Sequence, residues 1–147
     1  MSKYQTIVRI NDEDIFKYVY AQSAWYCAHH NSASIITKDY EKMLLVKLEE
    51  GVANMAQRFA GYLSSYSYNP NNVIRNIELV FKFNKQPTEL FTQALKQNII
   101  SLLAHFILMR MYAEVEETGN KSLYLIFEKE WRRYSSKILL AVSFDLL

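Results

Sequence analysis

From Tyr40 onward the apolar positions Leu44, Leu48, Val52, Met55, Phe59, Leu63 and Tyr66 fall three or four residues apart. That is the spacing of one face of an α-helix. With Thr37 as N-cap, the pattern predicts a helix over Lys38 to Ser65, about seven turns and roughly 40 Å long. Gly51 and Gly61 lie inside that span. Each marks either a close helix–helix contact or a bend, because glycine costs a helix interior about 1 kcal/mol relative to alanine.

Around this helix the pattern changes period. Gln5 to Ile10 is short and β-branched, which predicts one edge strand. Asn11-Asp12-Glu13-Asp14 supplies a cap and an acidic first turn, opening a helix that runs to about His30. Ile15, Val19, Ala24 and Cys27 or Ala28 form its stripe, and Asn31 to Ser34 make a loop. Tyr66 to Asn72 is the longest non-periodic polar stretch and also reads as a loop. After it, Ile77, Leu79, Phe81 and Phe83 alternate with other residues, a strand whose natural partner is the N-terminal one.

Pro87 opens a third helix. Its stripe is Phe91, Leu95, Ile99, Leu102, Phe106, Met109 and Ala113, widened by Ile100, Leu103 and Ile107. A helix apolar over most of its circumference is a central one. Thr118-Gly119-Asn120 turns the chain into a fourth helix over Ser122 to Phe144, carrying Leu123, Phe127, Tyr134, Ile138 and Ala141 or Val142 on one side. The expected fold is mainly α, in the order β-α-α-β-α-α. It has about four helices, including a C-terminal antiparallel helical hairpin, plus a short two-stranded β element, in a single domain over residues 1–147.

Composition narrows the functional classes. The chain has 147 residues, with 3 Gly, 2 Pro, 1 Cys, 11 Tyr and a net charge of +2. Gly51, Gly61 and Gly119 are too dispersed for a phosphate-cradling loop. Cys27 alone makes no internal disulfide, and the residues from Met1 to Gln5 show no signal-peptide pattern, which together point to an intracellular setting. No run approaches the roughly 18 apolar residues of a membrane span. Residues 1–73 carry seven basic and seven acidic side chains, and residues 74–147 carry ten and eight. The one basic cluster, Arg132 and Arg133 with Lys129 and Lys137, is diluted by Glu128 and Glu130. Neither specific nucleic-acid binding nor membrane binding is expected.

Candidate chemistry is sparse. Cys27 and His30 share a helical face while His29 points elsewhere, but a structural zinc site needs four ligands, and a nucleophile pair needs a third group to orient its base. His105 and Asn98 lie in the central helix, where a satisfied core or interface role is expected. Glu114, Glu116 and Glu117 crowd a helix C-terminus, which the helix dipole disfavours. No catalytic, cofactor or metal constellation emerges, so a non-enzymatic protein without cofactor is expected. The aromatic residues are more informative, because tyrosine and tryptophan are enriched at protein interfaces. Tyr62, Tyr66 and Tyr68 cluster near the end of the second helix, and with Ile77, Leu79, Phe81 and Phe83 they form the expected interface.

Phe81-Lys82-Phe83-Asn84-Lys85-Gln86-Pro87 is followed by Leu90, Ala94, Leu95, Ile99, Ile100, Leu103 and Ala104, and then by Arg110-x-Tyr112. This arrangement resembles the small helical head–tail connector and neck proteins of tailed bacteriophages. The similarity extends through Phe127 to Trp131 and Ile138, and so covers roughly residues 77–142. It implies a structural subunit that closes head-to-tail into a homo-oligomeric ring around a DNA channel. Other phage neck, portal or tail proteins would be its neighbours, and the virion, assembled in the host bacterial cytoplasm, its location. Adjacent subunits could then pair strand edges. Two alternatives remain: a cytosolic helical regulatory or immunity-type protein acting through the Glu114–Glu117 acidic patch, and an enzyme built on Cys27 and His30.

Overall fold

A computed structural model describes residues 4–29, 33–115 and 118–143. The elements in chain order are β1 (Tyr4–Asn11), α1 (Asp12–Cys27), a 3-10 turn (Lys38–Tyr40), α2 (Glu41–Arg58), β2 (Leu63–Ser67), β3 (Asn76–Phe83), α3 (Glu89–Glu114) and α4 (Lys121–Ser143). The chain is mainly α, as the periodicity predicts. The caps form where the sequence places polar side chains. Asn11 accepts from the Glu13 N–H at 2.9 Å, Thr88 from Phe91 at 3.1 Å, and Asn120 from Leu123 at 3.0 Å, each satisfying a first-turn donor.

Two expectations are corrected. The sheet has three strands in the order β1-β3-β2, antiparallel throughout, where two were expected. The second helix ends at Arg58 rather than Ser65, so it is about 27 Å long. The misreading has one cause. Phe59, Leu63 and Tyr66 continue the helical spacing by coincidence, whereas Ala60-Gly61-Tyr62 turns the chain. The Ser-rich segment Leu63–Ser67 then pairs with β3. Only Leu63 of β2 is buried, so no alternation marks it as a strand.

β3 is the central strand, and its alternation is strict. Ile77, Leu79, Phe81 and Phe83 point inward onto the helices with Val8 and Ile10 of β1. The opposite face carries Ile7 across from Val80, and Arg9 ion-paired with Glu78 at 2.8 Å. α3 lies at the centre of a single continuous core, with thirteen of its residues buried. Its later part meets the early part of α4, Tyr112 stacking on Phe127 at 5.6 Å. Its middle meets the later part of α4, His105 stacking on Tyr134 at 5.3 Å.

α2 packs on another side of α3, and here one glycine is required. A Cβ on Gly51 would lie 2.8 Å from Phe106 Cδ1, closer than side chains tolerate. Gly51 is thus a close helix–helix contact. Gly61 lies beyond the helix, and a Cβ there meets nothing within 4 Å.

Candidate functional site

The loop between β2 and β3 is the most distinctive surface feature. It begins with Tyr68 and ends at Arg75, and both residues are fastened to the same carboxylate. Asp12, the first residue of α1, is fully buried. Its Oδ2 accepts from the Tyr68 hydroxyl at 2.8 Å and pairs with Arg75 Nε at 2.8 Å. The Asp12 backbone N–H donates to the Arg75 carbonyl at 3.1 Å. Arg75 also reaches Glu41 at the start of α2, at 3.3 Å, and so ties three elements to the base of the loop.

Burial is the largest influence on Asp12 and pushes its carboxyl above the usual carboxylate range; the Tyr68 hydrogen bond and the Arg75 charge pull it back down. The Tyr68 hydroxyl is raised as well, by burial first and then by Asp12. Asp12 Oδ1 is buried without a partner. Within the loop, Asn69 accepts from the Asn71 N–H through its side chain at 2.9 Å and from the Asn72 N–H through its carbonyl at 3.3 Å. Pro70 fixes one further backbone angle. The loop is braced from within and clamped at its base.

On its closing limb, directly before Arg75, stand Val73 and Ile74, 102% and 70% exposed. Two large aliphatic side chains therefore stand in water on a loop whose base is fixed. The sequence contained a signal for them: Val73-Ile74 is an apolar pair that follows the polar run and belongs to neither the α2 stripe nor the β3 alternation.

The expected interface residues fall into two groups. Ile77, Leu79, Phe81 and Phe83 belong to the chain's own core, because both edges of β3 are paired within the chain and its apolar face meets the helices. They offer no surface, which corrects their assignment to an interface. Of the tyrosines, Tyr62 is half-buried against the core, Tyr68 holds Asp12, and Tyr66 is exposed.

Other candidates are also placed. His105 is buried, with Nδ1 2.7 Å from the Ser101 carbonyl, so that nitrogen donates in the neutral ring. Burial lowers its pKa, against smaller raising effects from Ser101 and Glu130. Cys27 Sγ lies 3.4 Å from the Tyr112 hydroxyl, which donates to the Ser34 carbonyl at 3.1 Å and lies 2.7 Å from Ser23 Oγ. Ser23 in turn accepts from the Ile36 N–H at 2.7 Å. This cluster fastens the segment before α2 to α3. His30, the other half of the possible nucleophile pair, lies outside the described residues, as do Glu116 and Glu117. Glu114 pairs with Lys47 at 2.7 Å and with Arg110 at 2.8 Å, so its charge is met within the chain.

Among the described residues no group of three or more His, Cys, Asp or Glu side chains is placed to hold a metal ion. No helix among them is long and apolar enough to cross a membrane. The fold defines a mainly α protein with helices packed on one face of a three-stranded antiparallel sheet. In comparisons with known proteins, no family model, no curated protein and no solved structure matches the chain.

Proposed function

We propose that this chain is a non-enzymatic subunit of a larger protein assembly, joined to a neighbouring chain through the exposed Val73 and Ile74 of the β2–β3 loop. One observation carries the reading. Val73 and Ile74 are held in solvent on a loop that Asp12, Arg75 and Tyr68 fix in place. Aliphatic side chains on a pre-ordered loop bury their area on contact with little cost for ordering the loop itself. The specific form is the ring of a tailed-phage neck or head–tail connector, supported by the pattern of α3 and α4 alone. In that form α3 and α4 act as the antiparallel hairpin forming the wall of each subunit, and neck, portal or tail proteins stack above and below.

Light scattering combined with negative-stain imaging of the purified chain tests this reading. Closed rings, or ring formation on adding the partner ring, support it. A protein that stays monomeric at every concentration and in the presence of those partners contradicts it. The regulatory alternative receives no support from Glu114, which the chain itself neutralises.

A further inference from the structure

A pocket of about 250 Å³ lies between the end of α2 and α4, lined by Arg58, Phe59, Arg132, Ser135, Ser136 and Leu139. Ser135 is 6% exposed, and its hydroxyl is buried with no hydrogen-bond partner. Buried hydroxyls are nearly always paired, so an unpartnered one on a residue that lines a pocket leaves a donor for a ligand atom that reaches it there. The two arginines indicate the charge of that ligand. The Arg58 guanidinium lies 4.5 Å from the centroid of the Trp131 ring, and among the described residues no carboxylate pairs with it. Arg132 Nε is 3.6 Å from Glu128 Oε1, and its side chain is 69% exposed. That separation exceeds a hydrogen bond and leaves the guanidinium able to turn toward the pocket.

We propose that this pocket binds a single phosphate group. Arg58 and Arg132 supply planar donor forks suited to an oxyanion, and Ser135 and Ser136 supply hydroxyl donors. The surroundings favour one phosphate over a run of them. Glu128 and Glu130 alternate with the basic residues of α4, and Arg133 is already paired with Glu130. An extended nucleic-acid backbone would instead need a continuous basic track. Inorganic phosphate and a phosphate monoester share the recognised chemistry. This proposal stands apart from the assembly reading, since the pocket is lined by residues other than Val73 and Ile74.

Calorimetric titration of the full chain at low salt, with inorganic phosphate and with O-phosphoserine, tests the proposal. One site per chain is expected, and phosphate at tenfold excess over its dissociation constant should raise the melting temperature by about 4–5 °C. Tighter binding of phosphoserine assigns the monoester, and tighter binding of inorganic phosphate assigns the free ion. Arg132→Gln and Ser135→Ala should each weaken binding about tenfold, and Glu128→Gln should strengthen it by releasing Arg132. Ser135→Ala should also melt no lower than the unsubstituted protein without phosphate, because it removes an unpartnered hydroxyl, so lost binding would not reflect lost folding. Absence of binding to the unsubstituted protein overturns the proposal. So does equal stabilisation of the unsubstituted protein and both weakened variants, the general effect of an excluded salt.

Discussion

The two ends of the molecule are held together by different physics. Around α3, stability comes from apolar side chains on every side: Leu95, Ile99, Leu103, Ile107 and Met111 are buried, and Phe127 and Ile138 of α4 close against them. At the β2–β3 end, β2 buries only Leu63, and the loop beyond it is fixed by one buried carboxylate with two partners. A segment held by packing must turn its apolar side chains inward. A segment held by backbone pairing and a polar clamp need not, and this one displays Val73 and Ile74.

Breaking each anchor in turn tests that contrast. Phe81→Ala removes a fully buried ring from the central strand and should cost about 3–5 kcal/mol, read as a loss of denaturant midpoint for the whole chain. Asp12→Ala should cost about 3 kcal/mol, because it strands Arg75 and Tyr68 beside a buried site. Its signature should be local: hydrogen exchange should rise over residues 68–76 while the α3 amides stay protected. Equal loss of protection in α3 would show that the clamp is part of the common core.

The buried titratable groups sharpen the contrast, since they respond oppositely to acid. The folded-state pKa of His105 is lowered from 6.5 by burial. Below about pH 6.5 the unfolded chain therefore takes up the proton first, and stability falls as the pH drops toward the folded value. The folded-state pKa of Asp12 is raised by burial, so there the native state takes up the proton first and stability rises as the pH falls through the folded value toward the ordinary value of 3.8. His105→Phe should flatten the acid-side loss of stability below about pH 6.5, measured by denaturant titration at each pH. An unchanged slope would remove His105 from the account.

The helical half was readable in the sequence because burial there leaves a periodic trace. The α3 stripe, the Asn11 cap region and the β3 alternation are all local signals, whereas Pro87, expected in the first turn of α3, lies just before its cap Thr88. The sheet end was not readable for the same reason. β2 owes its existence to an available edge on β3, a tertiary fact with no pattern of its own, and its Leu63 and Tyr66 happened to extend a helical spacing. Asp12 was visible as a first-turn acid, but its joint hold on Tyr68 and Arg75 depends on segments far apart in the chain. The strand residues expected at an interface were misplaced because alternation shows that a face is apolar without showing what covers it.

The smallest effect on stability belongs to the residues that matter most for the proposed role. Val73→Ser with Ile74→Ser should change folding free energy by less than about 0.5 kcal/mol, since both side chains are in solvent. Sedimentation velocity on the unsubstituted protein and this double variant, with the partner ring present if the chain alone stays monomeric, tests the central claim most directly. The account predicts a closed assembly for the unsubstituted protein and a folded monomer for the variant at equal concentration. Identical sedimentation of the two, both assembled, would contradict it.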